Sequence, residues 1–332
     1  MSKKRKMIGA GAAVASIAAG AVASHVVTKK LVELAIYRQK PKNLEKKRPK
    51  VSRAHNTDDF LECADRTARE LAAREEIVDC NIRGRDDVYL AGHWYPCENA
   101  KRIIIAMHGW RSEWNRDFGM IADFWHREGC SVLFAEQRGM NNSGGNYITF
   151  GHLERYDCLD WAYYVDENYN EGNLPIYLAG ISMGAATVLM TASLDLPENV
   201  RGIFSDCGFT SAHEMWKHTV NNNLHLMYSA HGYMIDEICK KKIRVDSRNI
   251  TTLSALNEAK VPVAFVHGSD DRFVPVSMAY KNYKTCSSPK ELLIVPGADH
   301  GQSYYTEREK YEAFSRAFWE KYDKEKWTYS VV

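Results

Sequence analysis

Ser182 stands between two glycines in Gly180-Ile181-Ser182-Met183-Gly184, directly after the apolar run Pro175-Ile176-Tyr177-Leu178-Ala179. A strand that turns sharply into a helix needs small residues on both sides of the turn, and such a turn holds a serine hydroxyl exposed, as a nucleophile requires. Alone the pattern is weak. With glycine at about 7% of residues, it arises by accident in about one chain in ten of this length. A serine also needs a base to take its proton, and that base needs a third group to orient it. Both follow in the chain. His267-Gly268-Ser269-Asp270-Asp271-Arg272-Phe273-Val274-Pro275 comes after one apolar run, and Pro296-Gly297-Ala298-Asp299-His300-Gly301 after the next.

The order Ser182, Asp271, His300 differs from the orders of the trypsin-like and subtilisin-like arrangements. Asp270 and Asp206 compete with Asp271 for the orienting role. His108 and His267 are read as turn residues. A tetrahedral intermediate further needs backbone donors for its oxyanion. The Met183 N–H, at a helix start just after the serine, is expected to be one. The Trp110 N–H, in His108-Gly109-Trp110 at the end of another apolar run, is expected to be the second.

These residues must be held by a sheet. After residue 60, short apolar runs alternate with amphipathic stretches, the pattern of a mostly parallel sheet covered on both faces by helices. Eight strands are expected, near Ile77 to Ile82, Val88 to Tyr95, Arg102 to Met107, Ser131 to Ala135, Ile176 to Ala179, Gly202 to Ser205, Val263 to Val266 and Glu291 to Val295. Helices are expected over Arg116 to Glu128, Glu154 to Glu167, Met183 to Ser193, Val276 to Cys286 and Glu307 to Lys321. Ser182, Asp271 and His300 then all lie in loops at the carboxyl ends of strands, where such sheets place their sites. One interruption breaks the alternation. Residues 209–256 form a long insertion rich in Met and aromatic residues where a short loop would suffice, and this is expected to be a helical lid. Trp216, Met227 and Tyr228 within it are expected to line an apolar or aromatic substrate pocket.

The motifs together resemble those of the α/β-hydrolases: HGW at 108–110, the RG…SGG loop at 138–145, GISMG at 180–184, HGSDDRFVP at 267–275 and DHG at 299–301. More narrowly, EQRGMNNSGG followed by YITFGHLERYD, and SDCGFTSA at 205–212, are similar to a bacterial group with an amino-terminal membrane segment. That group is related to serine aminopeptidase-type, monoglyceride lipase-like and feruloyl esterase-like domains. The resemblance implies an α/β-hydrolase fold over about residues 75–322 and a serine hydrolase acting on an ester or amide. One loop departs from the pattern D-x-R-G-H-G-x-S: Glu136, Met140 and Asn141 replace the acid, the histidine and the second glycine.

Composition narrows the rest. A formal net charge of +2 over 332 residues leaves no footprint for nucleic acid. Eight cysteines are scattered without a C-x-x-C pair or zinc-finger spacing, so no metal and no cofactor are expected. Residues 7–27 carry no Asp, Glu, Lys or Arg, and as a helix this run would just cross a bilayer of roughly 30 Å. It is read as a single-pass anchor in the cell membrane, with Ala21-Val22-Ala23 making a cleaved signal peptide, and hence secretion, the alternative. Positive charge flanks it on both sides and assigns neither orientation. The expected organisation is a membrane segment over 1–28, a basic linker over 29–60 and a hydrolase domain over 61–332. The function expected is hydrolysis of a small-molecule ester through an acyl-enzyme. Amidase, aminopeptidase or acyl-thioesterase chemistry is the alternative, and a non-catalytic binding protein on the same fold is the competing class.

Overall fold

Strands β3 (Arg102–Met107) and β4 (Cys130–Ala135) are buried at every residue, which is why, Arg102 and Ser131 apart, they read as apolar runs and not as alternating ones. The structure is a computed structural model, and it describes residues 26–38, 58–223, 228–244, 246, 248–249 and 251–324. Around those two strands runs one eight-stranded sheet. Its other members are β1 (Val78–Arg83), β2 (Tyr89–Tyr95), β5 (Ile176–Ile181), β6 (Val200–Asp206), β7 (Val263–Gly268) and β8 (Lys290–Val295). The spatial order is β1-β2-β4-β3-β5-β6-β7-β8. Strand β2 is antiparallel to β1 and β4, and the remaining pairs are parallel. All eight expected strands form, each within two residues of its expected bounds at either end. This is the α/β-hydrolase fold.

Helices cover both faces. On one, α3 (Trp114–Arg127) and a helix over Arg308–Tyr322 bury Phe118, Phe124, Phe318 and Trp319 against the sheet. On the other, α4 (Glu154–Asn168), α5 (Met183–Thr191), α8 (Thr252–Asn257) and α9 (Ser277–Thr285) carry the second core, with Trp161, Val188 and Leu256 inside it. At about 25 cal/mol for each Å2 of apolar surface removed from water, these two layers dominate the folding energy.

Two features differ from the sequence expectation. The described part of the linker expected over 29–60 is mostly helical: residues 26–36 form α1, Tyr37 then bridges to Tyr147, and α2 (Asp58–Ala72) packs along α3. Val32 and Ile36, one helical turn apart, are 3% and 0% exposed, so α1 has an apolar face that a solvated linker would not need. The insertion ends earlier than expected, because Ala255 and Leu256 in α8 are buried and the Thr252 hydroxyl bonds Asn282 in α9. What projects over the carboxyl edge of the sheet is α6 (Ala212–His218), a π-helical turn (Thr219–Asn223) and α7 (Tyr228–Ile243). Finally, the span expected over 7–27 lies outside the described residues except for its last two, which open α1. Among the described residues no helix is long and apolar enough to cross a membrane.

A third apolar cluster joins these additions. Val32 and Ile36 of α1 meet Ile148, Phe150, Phe209, Met215, Trp216 and Ile235 above the carboxyl ends of β3 to β6.

Candidate active site

Strand β5 hands the chain to α5 through Ser182, whose φ of 55° and ψ of −113° lie in a region that residues other than glycine rarely occupy. Two glycines make that turn possible. A Cβ on Gly180 would fall 2.3 Å from backbone atoms of Gly184, and one on Gly184 would fall 1.8 Å from the Met107 carbonyl oxygen. The tight approach lets α5 start beside β3, and the serine is presented between the two. The Ser182 N–H donates to Asp206 O at 2.9 Å, which ties the turn to β6.

The loop after β8 brings His300 to this serine. Its Nε2 lies 2.8 Å from Ser182 Oγ, and its Nδ1 lies 2.8 Å from Asp271 Oδ2. Asp271 sits in the loop after β7. The other oxygen of its carboxylate accepts from the N–H groups of Phe273 and Val274 at 2.9 and 2.7 Å. Burial raises the cost of that charge, but His300 and His267 beside it outweigh burial and hold the carboxyl well below the usual carboxylate range. An ionised carboxylate only accepts, so His300 carries its proton on Nδ1 and turns the Nε2 lone pair toward the serine hydroxyl. Burial disfavours the imidazolium, yet the Asp271 charge more than compensates, and the His300 pKa lies well above its ordinary value.

The competing acids are placed elsewhere. Asp270 accepts from its neighbour Ser269 at 2.6 Å on the exposed side of the loop. Asp206 accepts from the Ser303 hydroxyl at 3.0 Å, and burial pushes its pKa up to about 6. His108, read as a turn residue, has Nδ1 2.8 Å from Gly109 O and accepts at Nε2 from the Gln137 N–H at 3.1 Å. His267 does more than serve its turn. Its Nε2 lies 2.8 Å from Val274 O and 3.2 Å from Asp271 Oδ2, so it braces the carboxylate that orients His300.

Of the two expected oxyanion donors, Met183 follows the serine directly and Trp110 lines the same cavity as both. Met183 opens α5, so its N–H has no acceptor within the helix. The loop after β3 runs close to Ser182, where a Cβ on Gly109 would lie 3.4 Å from the serine Cβ. That loop is pinned by Asp117, which accepts from the Gly109 N–H at 2.6 Å and from the Ser112 hydroxyl at 2.5 Å. Among the described residues the Trp110 N–H donates no hydrogen bond, while the N–H groups on either side of it are engaged by Asp117 and by Met140 Sδ.

A cavity of about 80 Å3 opens at Ser182, and its walls include Trp110, Phe150, Phe209, Met215, Trp216 and Phe273. Trp216 is thus one wall of the cavity that Ser182 also lines. Met227 lies outside the described residues, and Tyr228 opens α7 with its side chain likewise undescribed. Among the histidines of the insertion, His213 Nδ1 lies 3.2 Å from Asp236 Oδ1, and His218 Nε2 lies 3.1 Å from Arg272 O.

Residues 116–326 match the model of the prolyl oligopeptidase family. The chain belongs to that family. That family lies within the α/β-hydrolase superfamily, as the resemblance of the motifs implied. Among curated relatives, protein YqkD of Bacillus subtilis (strain 168) is 26% identical over 190 residues, which is 57% of this chain and only 62% of that protein's length. Among solved structures, the Pyrococcus furiosus esterase Pf2001 superimposes with a TM-score of 0.61 at 22% identity, covering 77% of this chain and 95% of the esterase. Est1E from Butyrivibrio proteoclasticus, whose structure is also known with ferulic acid bound, superimposes with a TM-score of 0.56 at 17% identity, covering 72% of this chain and 98% of its own. An acylaminoacyl peptidase from Pyrococcus horikoshii has the same TM-score at 15% identity, but only 45% of that chain is covered. At these identities the structural likeness speaks for the fold.

Three contributors to this family member's site escaped the sequence reading. Ala35, in α1, lines the cavity at Ser182, and nothing in the local sequence of a supposed linker signals it. Cys207, fully buried and with a φ of 50°, lies with His300 and Asp271 in one cluster whose side-chain ligand atoms are within 4.8 Å of one another. Burial pushes its pKa up to about 11. Phe273 sets its ring edge-on to His300, 4.9 Å between centroids.

Proposed function

We propose that the chain hydrolyses carboxylic esters, with Ser182 as nucleophile, His300 as base and then acid, and Asp271 as the group that orients His300. The observation that carries this reading is the run of contacts from Asp271 Oδ2 through the imidazole to Ser182 Oγ, both 2.8 Å. His300 Nε2 takes the hydroxyl proton as Ser182 Oγ bonds to the substrate carbonyl carbon. The oxygen that becomes negative receives hydrogen bonds from the Met183 and Trp110 N–H groups, each worth about 3 kcal/mol in the barrier. The leaving alkoxide takes the proton from His300 as its bond to carbon breaks. Water then gives a proton to His300 and its oxygen to the acyl carbon, and Ser182 leaves with the proton returned.

Two observations favour an ester over a peptide with a free amino terminus. The cavity at Ser182 is walled by Trp110, Phe150, Phe209, Met215 and Trp216, and among the described residues no carboxylate lines it to hold an ammonium group. The esterases that share the fold across nearly their whole length point the same way. The acyl group suited to such walls is apolar or aromatic. The apolar run over residues 7–27 supports a membrane-anchored form of the enzyme.

Hydrolysis of a p-nitrophenyl ester tests the reading. Ser182→Ala lowers kcat by about a million-fold, and labelling by a fluorophosphonate is lost with it. Ester hydrolysis that survives this substitution sinks the assignment.

A further inference from the structure

The cavity at Ser182 is not the only apolar space under the insertion. A second cavity of about 100 Å3 adjoins it, walled by Leu31, Val32 and Leu34 of α1 on one side and by Val220, Ile235 and Cys239 of the insertion on the other. The two cavities share four residues, Ala35, Trp110, Trp216 and Thr219. Among the described residues no charged side chain lines either of them.

The shared wall from α1 is fixed in place. The Trp110 indole N–H donates to Ala35 O at 2.9 Å, and the Ile148 N–H donates to Ile36 O at 2.7 Å. The Arg111 guanidinium donates to Leu34 O at 2.7 Å and also to Tyr37 O. Trp110 thus joins two tasks, since its backbone N–H faces the reacting carbonyl in the reading above and its side chain holds α1. Helix α1 lies outside residues 116–326, the part matched by the family. One wall of this space is supplied by that helix and the other by the insertion.

We infer that the two cavities are one acyl-binding site, proximal at Ser182 and distal under α1, and that the substrate is an ester of an aliphatic acid too long for the proximal cavity alone. Leu31 and Ala35 set the length accepted: Ala35 lies where the cavities meet, and Leu31 lies at the distal side only. The inference rests on Ser182 as the nucleophile. An aliphatic chain is the occupant that this space fits, because it offers no partner to a polar group and rewards each methylene taken out of water.

The test uses the full chain and a series of p-nitrophenyl esters from acetate to dodecanoate. The expected kcat/KM rises about fourfold for each methylene buried and then levels off once both cavities are filled. Ala35→Phe narrows the passage and Leu31→Trp fills the distal space, and each lowers the ratio of kcat/KM for decanoate to that for acetate by at least about tenfold. Leu31→Ala enlarges the space and moves the optimum to a longer chain, which keeps the inference testable if a bulky substitution prevents folding. A wild-type profile flat beyond butyrate, or a ratio unchanged in Leu31→Ala and in whichever bulky variant folds, overturns the distal subsite while leaving Ser182 in place. Hydrolysis that persists in Ser182→Ala is a separate result, and it overturns the nucleophile and the subsite together.

Discussion

His300 Nε2 lies 2.8 Å from Ser182 Oγ although 118 residues separate the two in the chain. Neither residue is held by its neighbours alone. The serine is set by the strained turn between β5 and α5, and the imidazole by Asp271 on a third loop.

That dependence gives a pH profile with a defined sign. His300 can accept the serine proton only when neutral, and its pKa lies well above the ordinary 6.5 because Asp271 outweighs burial. Activity is therefore lost as pH falls through a midpoint above 6.5, and kcat/KM measured against pH locates it. Asp271→Asn removes the charge and the enforced tautomer. Its midpoint moves down, and kcat falls by about ten-thousand-fold. A midpoint unmoved by Asp271→Asn would mean that another group orients His300.

The turn at Ser182 depends on Gly184. A methyl group there would stand 1.8 Å from the Met107 carbonyl oxygen, and that oxygen belongs to the central strand β3, which cannot yield. Gly184→Ala is expected to cost at least about 3 kcal/mol in urea unfolding and to abolish fluorophosphonate labelling. A variant that labels at the wild-type rate would show that the strand and helix can separate without loss of the turn.

The loop that departs from the usual pattern is held by Arg138. Its guanidinium is 2.6 Å from Asp157 Oδ2 and 2.7 Å from Asp86 Oδ2, and both Arg138 and Asp157 are almost fully buried. Removing the cation alone leaves Asp157 as an uncompensated buried charge, so Arg138→Met costs about 3–5 kcal/mol in denaturant unfolding. Pairing it with Asp157→Leu recovers most of that loss. If the double variant is no more stable than Arg138→Met, the loss lies in the loop itself and not in the orphaned carboxylate.

Helix α1 has its own anchor. Arg111→Ala removes the donor to the carbonyls of Leu34 and Tyr37, and a hydrogen bond from a charged group contributes about 1.5–3 kcal/mol. Hydrogen exchange over residues 26–38 should rise by one to two orders of magnitude, roughly the factor those energies imply, while the strands of the sheet stay protected. Unchanged exchange would place the hold on α1 in its apolar contacts. Cutting the chain at residue 60 would also remove Val32, Ala35 and Ile36, part of a wall of the site and of its core, so an assay on such a fragment would report on an opened pocket.

Ser182, Asp271 and His300 were legible in the sequence because each follows an apolar run that has to be a strand, and the ends of parallel strands in one sheet are brought together by the sheet itself. Asp271 was preferred over Asp270 and Asp206 from its spacing, and in the structure its carboxylate lies 2.8 Å from His300 Nδ1. The bracing by His267 and the closeness of Cys207 were not legible, since both depend on how three loops fold over one another.

Ala35 marks the same boundary more sharply. The sequence determined that a serine in a strained turn would meet a base at the edge of a parallel sheet, because short-range patterns of strand, glycine and helix specify that geometry. Only the tertiary structure decided that a helix expected to be linker closes the pocket above it. The contact from Trp110 to Ala35 spans 75 residues, and an alanine carries no local signal of what will pack against it.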